Sequence, residues 1–184
     1  MLASGAGTNL QAILDAGIEG LRVVISDVPG ALAVRRAAEA NIPTEIVPFA
    51  DNRSAFTEAI CETAARYGAE ALVLAGFMRV LGPEAIRRFP HRILNIHPSL
   101  LPAFPGVNAV SQALSRGVTL TGVTVHFVDE MVDHGPIIAQ RAVAVLPGDD
   151  EQSLHGRIQT VEHDLYPRVV AAFLRGDVIV EHGK

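Results

Sequence analysis

The sequence predicts an α/β domain built on a mostly parallel, twisted sheet with an antiparallel edge and helices on both faces. Three observations carry this expectation. Short Val/Ile/Leu-rich segments alternate with longer segments of helical period along most of the chain. The run Ala71-Leu72-Val73-Leu74-Ala75 lacks polar alternation, as expected of a strand covered on both faces. Near the end, two alternating segments, 121–128 and 137–145, flank a polar stretch at 129–136 and read as an antiparallel pair.

Taken in order, a very short strand at 2–3 leads into a glycine-rich turn and a helix over 8–16. A strand at 21–26, a helix at 31–40 and a strand at 45–47 follow. The next helix, 53–67, shows Phe56, Ile60, Ala64 and Tyr67 at helical spacing, with Gly68 as its stop. After the strand at 71–75 come a short helix at 83–89, a strand at 92–96, a Pro-rich loop at 98–106 and a helix at 109–115. Beyond the antiparallel pair, the last helix begins within 149–153 and turns Leu154, Ile158, Val161, Leu165 and Val169 inward, with Pro167 expected to kink it. A first strand this short is unusual, since strands typically have about 5–6 residues. It reads either as truncated or as the start of a chain taken from a longer reading frame.

With 184 residues, 49% of them hydrophobic, the chain has the material for one compact domain spanning 1–184. Fifteen basic against 20 acidic residues leave a formal charge of −5, which offers no broad basic surface to nucleic acid. No apolar run approaches the roughly 20 residues that span a bilayer, and the start lacks a signal-peptide pattern. The single cysteine, Cys61, excludes an intrachain disulfide framework and reads as helix packing. A cytoplasmic protein, monomeric or homodimeric, is expected.

Three constellations could carry chemistry. In Ser4-Gly5-Ala6-Gly7-Thr8-Asn9, glycines allow close backbone approach and the following helix start offers N–H groups to an anion, a phosphate above all. An ordinary strand-to-helix turn would also hold glycines. A dinucleotide is the rival guest, with Asp27 where a ribose-binding acid would stand, although Leu10 occupies the third glycine position of that fingerprint. The second constellation is Asn95-Ile96-His97, where residues two apart on a strand face one side, so amide and imidazole share a site at the strand's carboxyl end. The third is the loop Asp129-Glu130-Met131-Val132-Asp133-His134-Gly135-Pro136, from which one carboxylate against His97 would stabilise an imidazolium. Spacing alone does not choose that carboxylate. The seven histidines show no metal-ligand spacing, so no metal is expected, and His91, His126, His155, His163 and His182 read as surface or core residues. A G-x-S-x-G nucleophile elbow is absent.

Together, the 4–9 turn, Ala75-Gly76-Phe77-Met78-Arg79, the run from Leu94 through Asn95-Ile96-His97-Pro98 to Pro102, and His126-Phe127-Val128 followed by Asp133-His134-Gly135-Pro136 closely resemble the phosphoribosylglycinamide formyltransferases. These form a folate-dependent formyltransferase family, and the resemblance extends from Ser4 to about Arg175. It implies a Rossmann-like formyltransferase fold, with 10-formyltetrahydrofolate as cosubstrate and glycinamide ribonucleotide as acceptor. By the same resemblance, Asn95, His97 and Asp133 match the catalytic trio. Gly7, Thr8 and Asn9 match the substrate-phosphate turn, and Gln159 and Glu162 match residues reaching the ribonucleotide. Met78, Arg79, Val80 and Leu81 match the segment lining the folate pocket, to which Asn95 also contributes, and Arg53 matches a ligand-contacting arginine.

The chain departs from the family pattern at Ala103, where a basic residue is common, and at Asn108, where a histidine is. His134 replaces a small polar residue and is expected to compete for the charge of Asp133. Two other functions fit parts of the pattern: a formyltetrahydrofolate deformylase, and a noncatalytic nucleotide-binding module using only the turn and Asp27.

Overall fold

A computed structural model of the chain describes residues 1–180, so His182 lies outside the described residues. The chain divides into two compact units, Met1–Leu94 and Asn95–Lys184.

The first unit contains α1 (Thr8–Asp15), β1 (Val24–Ser26), α2 (Leu32–Glu39), β2 (Thr44–Ile46), α3 (Arg53–Arg66), β3 (Leu72–Leu74), α4 (Pro83–Arg88) and the first residues of β4 (Ile93–His97). β1 and β2 pair in parallel, from Val24↔Thr44 to Ser26↔Ile46. Leu2 forms parallel bridges to both Ile25 and Leu74, which places the opening residues between β1 and β3. Backbone bonds run on both sides: Ile25 N–H to Met1 O at 2.8 Å and Leu2 N–H to Val73 O at 2.9 Å. The short first strand is thus central to this parallel sheet. The strands expected at 21–26 and 71–75 are trimmed to three residues, because ladders last only where a neighbouring strand supplies partners, and the one expected at 45–47 starts one residue earlier. Leu2, Leu10, Ile25, Ile60 and Leu72 are fully buried, forming the core that the alternating pattern anticipates.

Local chemistry sets the helix ends. Asn52 caps α3 by accepting the Ala55 N–H at 3.0 Å, and Pro83 opens α4 where its missing N–H costs nothing.

The second unit holds the remainder of β4, then α5 (Ala109–Arg116), β5 (Leu120–Phe127), β6 (Ile137–Ala144) and α6 (Glu151–Arg175). β4 lies beside β5, which pairs antiparallel with β6, as the alternation predicts. β5 does not alternate in burial, however. Every residue from Thr121 to Phe127 is buried, while β6 is largely accessible. An inner strand is covered on both faces, whereas an edge strand is not. α6 packs on both strands and continues as one helix through Pro167. Asp150 and Ser153 cap its start reciprocally, at 2.7 and 3.0 Å. Among the described residues no helix is long and apolar enough to cross a membrane.

Candidate active site

In the first unit, Gly7 is the N-cap of α1 with φ 68°, a left-handed conformation that glycine adopts without a Cβ penalty. A Cβ there would stand 2.7 Å from Ala33 Cα, so α2 packs directly on the turn. The Ala33 N–H donates to Gly5 O at 3.1 Å, and Arg36 Nε donates to Ala6 O at 2.9 Å. Amides at the start of a helix lack intrahelical acceptors, so the first N–H groups of α1 have no partner within the helix itself.

Asp27 has another use than ribose binding. Its Oδ1 accepts from Ser4 Oγ at 2.6 Å and its Oδ2 from Arg79 Nε at 2.8 Å, with its side chain 1% exposed. Both oxygens therefore serve internal bonds, which removes the feature on which the dinucleotide reading depended. Ser4 Oγ also accepts the Met78 N–H at 3.0 Å, tying the turn to the 78–81 segment. Arg79 lies over the Phe49 ring at 4.7 Å. Met78 and Val80 are exposed apolar side chains, whereas Leu81 is buried. Arg53 directs its guanidinium to the Leu81 carbonyl through Nε and Nη2, so in this structure it supports that segment from behind.

The second unit brings together the three residues matched to the catalytic trio. β4 presents Asn95 and His97 on one face, and the loop after β5 returns Asp133 to them. That loop folds back because Phe127 N–H donates to Pro136 O at 2.9 Å, and because Gly135 lies so close to the Phe127 carbonyl that a Cβ would collide. Asp133 has φ 51°, a left-handed conformation that Asp tolerates better than most residues. Its Oδ2 stands 3.3 Å from His97 Nδ1 and accepts the Gly106 N–H at 2.7 Å.

His97 is buried, and its Nε2 donates to Phe104 O at 2.8 Å. The Phe104 carbonyl and the Asp133 carboxylate thus flank the ring at its two nitrogens. Asn95 Nδ2 lies 3.4 Å from Asp133 Oδ1 and 3.2 Å from His126 Nε2. Burial pushes the Asp133 carboxyl up, but the His126 bond, the Gly106 amide and the two neighbouring imidazoles bring it below the usual carboxylate value. The cluster therefore holds an ionised carboxylate, an amide and two imidazoles. It can present N–H donors to a developing oxyanion and move a proton.

His126, which the sequence pattern alone reads as a surface or core residue, belongs to this cluster. It is fully buried, donates from Nδ1 to Phe127 O at 2.8 Å, and turns Nε2 toward Asn95 and Asp133, the latter at 3.6 Å. Bare, that nitrogen accepts from the amide; protonated, it faces the carboxylate. The signal was its place in the His126-Phe127-Val128 motif.

The expectation for His134 is corrected: its Nδ1 pairs with Asp129 Oδ2 at 2.8 Å, and the second imidazole beside Asp133 is His126. Asn108 is the left-handed N-cap of α5, and Ala103 accepts from Ser99 Oγ through its carbonyl. On α6, Glu162 is buried and Gln159 is partly accessible. Among the described residues, no group of three or more His, Cys, Asp or Glu side chains is placed to hold a metal ion.

A sequence model described as "Formyl transferase" matches residues 1–170. The phosphoribosylglycinamide formyltransferase of Mycobacterium tuberculosis (strain H37Rv) is 46% identical over 185 residues, covering 98% of this chain and 86% of that protein. The crystal structure of glycinamide ribonucleotide transformylase 1 from Symbiobacterium toebii superposes with a TM-score of 0.95 at 46% identity, covering 99% of this chain and 89% of that one. The trifunctional purine biosynthetic protein adenosine-3 of Drosophila melanogaster is 42% identical over 189 residues; the match covers 98% of this chain but only 14% of that much longer protein. A mixed α/β fold, a family match across both units and a relative 46% identical over nearly the whole chain lead to one assignment: the chain belongs to the formyl transferase family.

Proposed function

We propose that this chain transfers a formyl group from 10-formyltetrahydrofolate to the primary amine of glycinamide ribonucleotide, as a cytoplasmic step of purine biosynthesis, with residues 1–184 acting as one formyltransferase domain. The observation that carries the reading is the Asn95–His97–Asp133 cluster, with Asp133 Oδ2 3.3 Å from His97 Nδ1. The family membership and the anion-ready turn at Gly7, Thr8 and Asn9 support it.

The amine attacks the formyl carbon, a C–N bond forms, and the carbonyl oxygen takes up negative charge. Asn95 and His97 are the donors to that oxyanion. Asn95 gives up its long 3.4 Å contact with Asp133 and directs that N–H to the formyl oxygen. His97 exchanges the Phe104 carbonyl for the same oxygen while Asp133 keeps the imidazolium charged and oriented. Collapse breaks the bond to the folate nitrogen, which takes a proton from His97 or a water, and the proton lost by the amine replaces the one given up. Gln159 and Glu162 contact the ribonucleotide. Met78 and Val80 supply apolar surface for the folate, with Arg79, Leu81 and Arg53 holding their segment in shape.

The test is a spectroscopic assay for folate product with glycinamide ribonucleotide present or omitted. Ribonucleotide-dependent product is expected, and equal product without it would identify a deformylase instead. His97→Ala should lower kcat about 100- to 1000-fold, the scale for losing an oxyanion donor, with little change in either KM. Unchanged turnover in a folded His97→Ala protein would overturn the assignment.

A further inference from the structure

The substrate-phosphate turn owes its shape to a helix that contributes none of the residues matched to the site. Its peptide units are trans, so each carbonyl and the following N–H point in opposite directions. Fixing a carbonyl therefore aims the next amide. α2 fixes two in succession: the Ala33 N–H holds Gly5 O at 3.1 Å, and Arg36 Nε holds Ala6 O at 2.9 Å. The amides of Ala6 and Gly7 consequently face away from α2. Arg36 reaches further, donating from Nη1 to Gln11 Oε1 at 2.9 Å, while the Gln11 N–H bonds Gly7 O at 2.9 Å. One guanidinium thus grips both the turn and the first turn of α1.

We propose that Arg36 is a positioning residue for the substrate phosphate: it sets the direction of the Gly7 amide and adds a positive charge behind the turn. This rests on the transferase reading, in which the turn receives the ribonucleotide phosphate. Arg36 acts through the backbone, so it governs affinity for the phosphate-bearing substrate and leaves the formyl chemistry alone. Lysine keeps the charge but lacks the planar fork that serves Ala6 O and Gln11 Oε1 together.

Arg36→Met and Arg36→Lys test the idea against wild type, with both KM values, kcat and the inhibition constant of inorganic phosphate as readouts. Arg36→Met should raise the KM for glycinamide ribonucleotide about tenfold, with kcat and the folate KM within about twofold, the pattern of lost uniform binding. The phosphate inhibition constant should rise in parallel, and Arg36→Lys should recover part of both. An unchanged ribonucleotide KM in Arg36→Met overturns the proposal. So does a fall in kcat with both KM values moving together, which marks general damage to the fold. If wild type gives no ribonucleotide-dependent product, and inorganic phosphate does not bind it by titration calorimetry, the transferase reading itself fails and takes this proposal with it.

Discussion

Gly7→Ala measures how tightly the fold constrains the turn before α1. At φ 68° an alanine occupies the left-handed region, which costs an L-residue about 1–2 kcal/mol. Its Cβ would also stand 2.7 Å from Ala33 Cα and 2.8 Å from Ala33 Cβ, and helix backbone cannot swing aside like a side-chain tip. Overpacking of this kind adds about 1–3 kcal/mol. The combined loss of about 2–5 kcal/mol corresponds to a drop in Tm of about 4–20 °C for a protein of this size. Gly5→Ala is the internal control, because Gly5 lies outside the left-handed region and nothing stands within 4 Å of its Cβ position. It should stay within about 0.5 kcal/mol of wild type. The double change Gly7→Ala with Ala33→Gly relieves the 2.8 Å clash with the methyl group but leaves the 2.7 Å clash with the helix backbone and the left-handed strain, so it should rescue little. Thermal unfolding followed by circular dichroism gives all four values. A Gly7→Ala protein melting with the Gly5→Ala control would refute the reasoning.

Two further outcomes follow from the second unit. Asp133→Asn keeps the side-chain shape but removes the charge 3.3 Å from His97 Nδ1; at about 1.5–3 kcal/mol for a charge-assisted contact, steady-state kcat should fall about 10- to 150-fold, and a change under twofold would remove Asp133 from the mechanism. Asp149 accepts from both terminal nitrogens of Arg157 at 2.8 Å, and this pair, with the Leu146 amide and Ser153, holds its carboxyl far below the usual range. A carboxyl depressed on folding stabilises the native state above its unfolded pKa of about 3.9, and that stability is lost as pH falls toward the folded value. Tm should therefore decline below about pH 4, less steeply in Asp149→Asn than in wild type. Identical slopes would show that Asp149 contributes nothing to the acid limb.

Much of the architecture could be read from the residue pattern. Helix α3 announces itself by the spacing of Phe56, Ile60 and Ala64, all buried, and the β5–β6 hairpin by its polar intervening loop. The burial of β5 was not legible, since it depends on its inner place in the sheet and on what packs over its faces, and a strand does not encode its neighbours. The same limit concealed His126, whose importance comes from register against Asn95 and from a loop that brings Asp133 back. Asp27 illustrates the opposite error. Its position about 20 residues beyond a glycine turn satisfies a dinucleotide pattern, yet Ser4 and Arg79 occupy both its oxygens. Spacing reports where a side chain can stand, but only tertiary contacts decide what it is used for.

The grip of α2 on the turn bears on whether such a motif can be transplanted. A peptide carrying residues 4–16 would retain the glycines and the helix start but lose Ala33 and Arg36, the groups that turn two successive carbonyls to one side. Free of them, the Gly5 and Ala6 peptide planes would rotate, and the Ala6 and Gly7 amides would lose their fixed direction. The smallest portable unit is therefore the turn with both flanking helices, roughly residues 1–40, and any graft must reproduce the α1–α2 approach that leaves room at Gly7 for no more than a hydrogen.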